Sequence, residues 1–141
     1  MIEISASTKL KESGLEWEPK PGDYCAIRNE ADPESETTEI LLLYNQMDLG
    51  AGRVVYVGSN PANPTPANRL HDLDTLVWMP RLEQLLSEIE KQGWEWTITS
   101  GGSFYLTQSY RGYPIRRVSF KHETPVGSAA EALQWLLSQQ K

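Results

Sequence analysis

The clearest hydrophobic pattern in the chain follows Pro80. Four apolar residues at helical spacing lie between this proline and Gly93: Leu82, Leu85, Leu86 and Ile89. Proline is favoured in the first turn of a helix and glycine just beyond the last turn, so the pattern predicts an amphipathic helix between them.

Apolar and polar residues then alternate strictly, which predicts three short strands in a meander. Tight turns at residues 100–103 and 111–112 separate the strands. The alternation places these apolar side chains on one face: Trp94, Trp96, Ile98, Phe104, Leu106, Val118 and Phe120. We expect Trp94, Trp96, Phe104 and Phe120 to be buried against the helices on either side in sequence.

A final helix is predicted near the end of the chain. Ser128 and Glu131 have the spacing of a capping box. An apolar stripe follows at Ala132, Leu133, Leu136 and Leu137. Residues 80–141 are therefore predicted to form an α-β-β-β-α two-layer sandwich with both helices on one face of the sheet.

The first half has weaker signals. Residues 1–20 lack a clear period and are predicted to be an extended lead-in. Residues 21–79 are predicted to be a small antiparallel β unit, of which an SH3-like curl is one arrangement. Its strands are expected at residues 24–28, 38–44, 53–57 and 75–78, with a proline-rich loop at 59–68. The predicted fold class is thus α+β.

Two segments of the second half resemble those of small uncharacterised bacteriophage and prophage proteins. The first is Trp78-Met79-Pro80-Arg81-Leu82-Glu83-Gln84-Leu85-Leu86. The second is Thr124-Pro125 followed by Ala129-Ala130-Glu131-Ala132-Leu133-Gln134-Trp135-Leu136-Leu137. The region of residues 77–140 is also similar to a phage ABA-sandwich domain. The resemblance implies a fold and a phage or prophage setting, and it implies no activity.

Composition and charge narrow the classes of function. The 141 residues include one cysteine and carry a net charge of −6. A single cysteine cannot form an internal disulfide, and the first residues do not have the pattern of a signal peptide, so we expect a cytoplasmic protein with no membrane segment. Thirteen acids and six bases precede Pro80, a balance of −7, and the rest of the chain carries +1. This acidity disfavours general binding to nucleic acids.

Four short motifs could carry chemistry, but each has a plainer explanation. His71-Asp72-Leu73-Asp74 fits a solvated loop, His122-Glu123 a strand end, Cys25 a buried thiol, and Ser100-Gly101-Gly102-Ser103 a hairpin turn. A catalytic site needs a nucleophile, a base and a group that orients the base, and no such set is visible. We therefore predict no catalytic residues, no metal site and no cofactor.

One cluster combines basic and aromatic residues in the predicted meander: Tyr105, Tyr110, Arg111, Tyr113, Arg117 and Lys121. Arg116 is grouped with these residues and is expected to lie at the edge of the sheet. Such residues dominate protein interfaces, and they also suit nucleotides or single-stranded nucleic acid. The plainer interpretation is the polar outer face of a sheet. Our expectation is non-enzymatic binding of another protein, with nucleotide or nucleic-acid binding as the alternative. The acidic segment at residues 30–36 could dock on a basic partner or simply be solvated.

Overall fold

The computed structural model describes residues 1–27, 40–51, 53–59 and 70–139. In chain order the elements are α1 (Ile4–Glu12), β1 (Tyr24–Ile27), β2 (Ile40–Gly50), β3 (Arg53–Ser59), β4 (Leu70–Asp72), a 3₁₀ turn (Leu73–Thr75), β5 (Leu76–Trp78), α2 (Leu82–Lys91), β6 (Glu95–Ile98), β7 (Phe104–Tyr110), β8 (Tyr113–Phe120) and α3 (Pro125–Ser138). The predicted α+β class is confirmed. Within these ranges, no helix is long and apolar enough to cross a membrane.

The chain divides into two compact units. One contains Met1–Leu15 together with Pro80–Lys141, and the other is Glu16–Met79. The predicted division at residue 80 thus coincides with a boundary between units. The first fifteen residues, however, belong to the unit formed by the second half of the chain.

The unit Glu16–Met79 contains an antiparallel sheet with the strand order β4-β3-β2-β1-β5. The last strand returns to pair with the first, with Cys25 opposite Trp78, an order consistent with the SH3-like curl. Buried residues Cys25, Leu41, Leu43 and Leu76 form its core. The predicted strands are present, although β2 extends six residues beyond Tyr44 to Gly50.

The prediction of an extended lead-in over residues 1–20 was wrong for its first part, whereas residues 15–20 belong to no helix or strand. α1 forms at Ile4–Glu12 and packs against α3, and its Leu10 is buried together with Ile2. With so few apolar anchors, a helix of nine residues has no strong pattern of its own. Such a short helix is stabilised mainly by tertiary packing, which the local sequence does not reveal.

The prediction that α3 is capped at Ser128 was also wrong. α3 starts at Pro125, and the Thr124 hydroxyl accepts a hydrogen bond from the Gly127 N–H at 3.1 Å. Thr124 therefore serves as the N-cap, and proline occupies the first helical position, where its missing N–H costs nothing. Ser128 is buried inside the first turns, and its hydroxyl has no hydrogen-bond partner among the described residues.

The meander forms a three-stranded antiparallel sheet with the order β6-β7-β8. Trp96 lies opposite Leu106, which in turn lies opposite Val118, so the predicted apolar face is correct. α2 packs against β6, and α3 packs against β7 and β8. On the central strand, Phe104 is 1% exposed and Leu106 0% exposed.

The predicted burial of Trp96 was wrong. Its side chain is 36% exposed, and its indole Nε1 donates to the exposed Glu90 carboxylate at 2.9 Å. Trp94 and Phe120 are half-buried, so only Phe104 of the four predicted aromatics is fully enclosed. The register is right, but in the described part of the chain β6 and β8 are the edge strands of this sheet, so their side chains have a neighbouring strand on one side only.

Candidate functional site

The β7–β8 hairpin ends in a two-residue turn at Arg111 and Gly112. Both residues have positive φ, +50° and +81°. Turns of this kind match the twist of antiparallel strands and usually contain asparagine and glycine. Arginine rarely adopts the left-handed region, so its presence places a cation at the end of the hairpin at some backbone cost.

The outward face of the sheet carries the closest pair of the predicted site. The Arg117 guanidinium lies over the Tyr105 ring, with its central carbon 3.9 Å from the ring centroid. Tyr105 lies opposite Ser119 and Arg117 opposite Thr107, so the two side chains meet diagonally across the strands. Arg117 is exposed as predicted, whereas Tyr105 is half-buried.

Large exposed side chains surround the turn. Tyr110 is 60% exposed, Tyr113 75% and Ile115 62%. The Arg111 guanidinium lies 5.3 Å from the centroid of the Tyr110 ring. We refer to these four residues as the hairpin tip: Tyr110, Arg111, Tyr113 and Ile115.

Ile115 was missed by the sequence analysis. The register of β7 and β8 shifts by one residue here, because Gln108 lies opposite Arg116 while Ser109 lies opposite Pro114. Ile115 is therefore the extra residue of a β-bulge, a feature that redirects side chains and often occurs at functional edges. An isoleucine between a proline and two arginines was the available signal.

Arg116 lies on the helix-covered side of β8 yet remains exposed, as its alternation and length predicted. Its guanidinium is 5.0 Å from the centroid of the Trp135 ring on α3. The Trp135 ring in turn packs edge-on against two other rings. Its centroid lies 5.6 Å from that of Trp94 and 6.1 Å from that of Phe120. The Arg116 guanidinium thus lies beside an aromatic cluster.

The six predicted site residues therefore do not form one continuous patch. Tyr105 and Arg117 form a pair on the outward face. Alternation along β7 places Tyr110 on the opposite side, the side of Leu106, and Tyr113 lies directly across from it. Lys121 is exposed after the end of β8 that lies away from the turn.

The charge of the meander is mostly positive, and Glu95 at the start of β6 is its one acidic residue. From Trp96 to His122 the sequence contains Arg111, Arg116, Arg117 and Lys121 and no acidic residue. Because the whole chain carries −6, the meander is a local positive surface on an acidic protein. Such a surface attracts negatively charged partners.

The other candidate motifs lie elsewhere in the fold, Cys25 on β1 and His71 on β4. Cys25 is fully buried, and desolvation followed by the charge of Asp23 raises the pKa of its thiol to about 12. A thiol with such a pKa is a poor nucleophile at neutral pH. The two aspartates near His71, Asp72 and Asp74, are both exposed. The described part of the chain contains no group of three potential metal ligands among its histidine, cysteine and acidic residues.

The His122 motif lies in a shallow groove between α1 and α3. The groove has a volume of about 140 Å³ and is lined by Lys9, His122 and Glu131, among others. The imidazole packs so closely on Gly127 that a Cβ at that position would overlap its Nδ1 atom. Glu123 is exposed. The imidazole of His122 therefore packs against the first turn of α3.

Residues 100–103 form the predicted hairpin turn, in which the Gly102 N–H donates to the Thr99 carbonyl at 3.0 Å. This turn joins two strands and precedes no helix. The acidic segment at residues 30–36 lies outside the described residues.

Comparisons with protein-family models, with curated proteins and with solved structures gave no match to this chain.

Proposed function

We propose that this chain is a phage or prophage protein that acts without catalysis, by binding another protein through its β7–β8 hairpin. The observation that carries the proposal is the hairpin tip, where Tyr110, Tyr113 and Ile115 expose 60–75% of their surface beside Arg111. Isolated exposed apolar residues are ordinary, but such residues grouped on one protruding hairpin are typical of an interaction site.

The composition of this surface suits a protein interface. Tyrosine and arginine are enriched among the residues that dominate binding energies. Arg116 and Arg117 each lie over an aromatic ring, at 5.0 and 3.9 Å. A side chain already held against a ring loses less conformational freedom on binding, which favours affinity.

The alternative, a nucleotide or nucleic acid, is less well supported by the geometry. Single-stranded nucleic acids stack their bases on open aromatic faces. One face of the Tyr105 ring is occupied by the Arg117 guanidinium. The net charge of −6 also opposes the approach of a polyanion.

The proposal can be tested by capture from a lysate of the source organism, with and without nuclease. The test variant is Tyr110→Ala with Tyr113→Ala. The matched control is Tyr44→Ala with Leu49→Ala on β2, where the side chains are about half exposed. We expect a protein band that resists nuclease, persists with the control and is lost with the test variant. A nuclease-sensitive band, or equal capture by both variants, would contradict the proposal.

A further inference from the structure

β8 is the long edge of the meander sheet. It has eight residues, of which six are exposed. Among the described residues, no strand pairs with its outer side. The other edge strand, β6, has only four residues and packs against α2. An open edge presents unpaired N–H and C=O groups, to which an extended peptide can add as a further strand.

The accessible part of this edge is regular. From Arg116 to Phe120, every residue of β8 lies opposite a successive residue of β7, ending with Phe120 opposite Phe104. The irregular features that usually protect an edge, Pro114 and the bulge at Ile115, lie only at the turn end. Five consecutive residues thus retain the geometry that an added strand needs.

Charge indicates which peptide would fit. Arg116 and Arg117 project to opposite sides of β8, one over Trp135 on the helix-covered side and the other over Tyr105 on the outward side. Side chains of an added strand also alternate between the two sides. Acidic residues in that strand would therefore meet an arginine on either side, and carboxylates form bidentate pairs with guanidinium groups.

A second copy of the chain fits this edge poorly. In an antiparallel pair of two β8 strands, residues that lie opposite each other point to the same side of the sheet. A pair centred on Arg117 would therefore place Arg117 of each copy opposite Arg117 of the other. Like charges directly opposite each other destabilise strand pairing. The edge therefore discriminates against self-association and favours an acidic strand.

We infer that β8 binds an extended acidic segment of a partner protein, which adds to the sheet as a fourth strand. This inference rests on the proposed function, because it specifies how the hairpin would engage a protein. The Arg116–Phe120 edge supplies backbone hydrogen bonds, and the two arginines select acidic side chains.

The test uses the full chain and a fluorescein-labelled ten-residue peptide in which adjacent pairs of glutamates are separated by valine and threonine, so that both sides of the added strand carry carboxylates. We expect saturable binding, with slower hydrogen exchange at alternate amides of β8. Arg117→Gln should weaken the affinity about tenfold, since a charge-assisted hydrogen bond is lost. The control Lys91→Gln removes the same charge from α2, where Lys91 pairs with Glu88, and should leave the affinity unchanged.

Two N-methylated forms of the peptide test the strand geometry. One lacks the N–H groups at odd positions and the other at even positions. Only one side of an extended strand faces β8, so one form should lose binding and the other should retain it. Equal binding of both forms, with β8 amides unprotected, would overturn strand addition.

Further outcomes separate this inference from the proposed function. Lack of saturable binding at about 1 mM peptide, a free energy of only about −4 kcal/mol, would overturn the inference. Tighter binding of a single-stranded oligothymidylate than of the peptide would also overturn it. If lysate capture still depended on Tyr110 and Tyr113 in these cases, the proposed function would stand. Loss of that dependence would overturn both.

Discussion

The two faces of the meander sheet follow the same alternation of residues but have different environments. On the central strand, neighbouring residues Phe104 and Tyr105 point to opposite faces. Phe104 is enclosed beneath the helices, whereas Tyr105 is half-buried and lies under Arg117. The difference shows that alternation assigns a side chain to a face, while the elements that cover that face determine its burial.

The strands also differ from one another within the helix-covered face. Phe104 and Leu106 of the central strand are fully buried, but Trp96, on the edge strand β6, is 36% exposed. Helices cover a narrow sheet best along its middle. The stabilising contribution of this face should therefore be concentrated in β7.

The largest expected effect comes from Phe104→Ala, which should lower the free energy of unfolding by about 3–5 kcal/mol. The lost ring is fully enclosed, so a cavity remains in addition to the lost burial. Urea unfolding followed by circular dichroism measures the change. Tyr105→Ala, one residue away on the outward face, is the matched control and should cost less than about 1 kcal/mol. Similar losses at the two positions would contradict the assignment of the faces.

Most of the second half could be predicted from its sequence because its signals are local. Pro80, Gly93 and the alternating residues specify a helix and a meander without reference to any distant contact. α1 could not be predicted in this way, since its Leu10 is buried by packing of α1 on α3, more than 100 positions later in the chain. The exposure of Trp96 could not be predicted either, because alternation contains no information about the width of the covering layer.

Trp96→Ala tests the edge of the covered face. We expect a loss of about 1–2 kcal/mol, well below that of a buried tryptophan, because the side chain is partly exposed and its hydrogen bond to Glu90 is at the surface. Glu90→Gln retains an acceptor for the indole N–H and should change stability by less than about 0.5 kcal/mol. A loss above about 3 kcal/mol for Trp96→Ala would mean that this edge is enclosed after all.

The start of α3 determines which part of the covered face the helix reaches. Thr124→Ala removes the N-cap acceptor and should cost about 1 kcal/mol. Ser128→Ala should instead raise stability by about 0.5–1 kcal/mol, because the buried hydroxyl lacks a partner among the described residues and alanine favours helix. Thermal unfolding of the two variants measures the contrast. The reverse order of stabilities would restore Ser128 as the cap.

The candidate site was predicted in composition but not in arrangement. The sequence identifies the tyrosines and arginines, and alternation correctly assigns Arg117 to the outward face. Alternation along β7 alone separates Tyr110 from the Tyr105–Arg117 pair, whereas the position of Tyr113 depends on the bulge at Ile115, where Gln108 pairs with Arg116 and Ser109 with Pro114. Bulges add one residue to one strand, so strict alternation counted from the strand end fails beyond them.

A small effect on stability is also expected from Arg117→Glu combined with Tyr105→Ala, on the outward face. The pair is a surface cation–π contact, and its loss should cost less than about 1 kcal/mol. Partner capture should nevertheless disappear, because the change reverses a charge on the proposed binding surface.

The salt dependence of capture is a second criterion that distinguishes a protein partner from a nucleic acid. Binding to a nucleic acid weakens steeply with salt through counterion release, whereas binding to a protein through tyrosine and arginine anchors is less sensitive. We expect wild-type capture to persist between about 50 and 200 mM salt and to be lost in the double variant. This combination would assign the outward face to protein recognition. Unchanged capture by the double variant would exclude this pair and leave the hairpin tip as the contact surface.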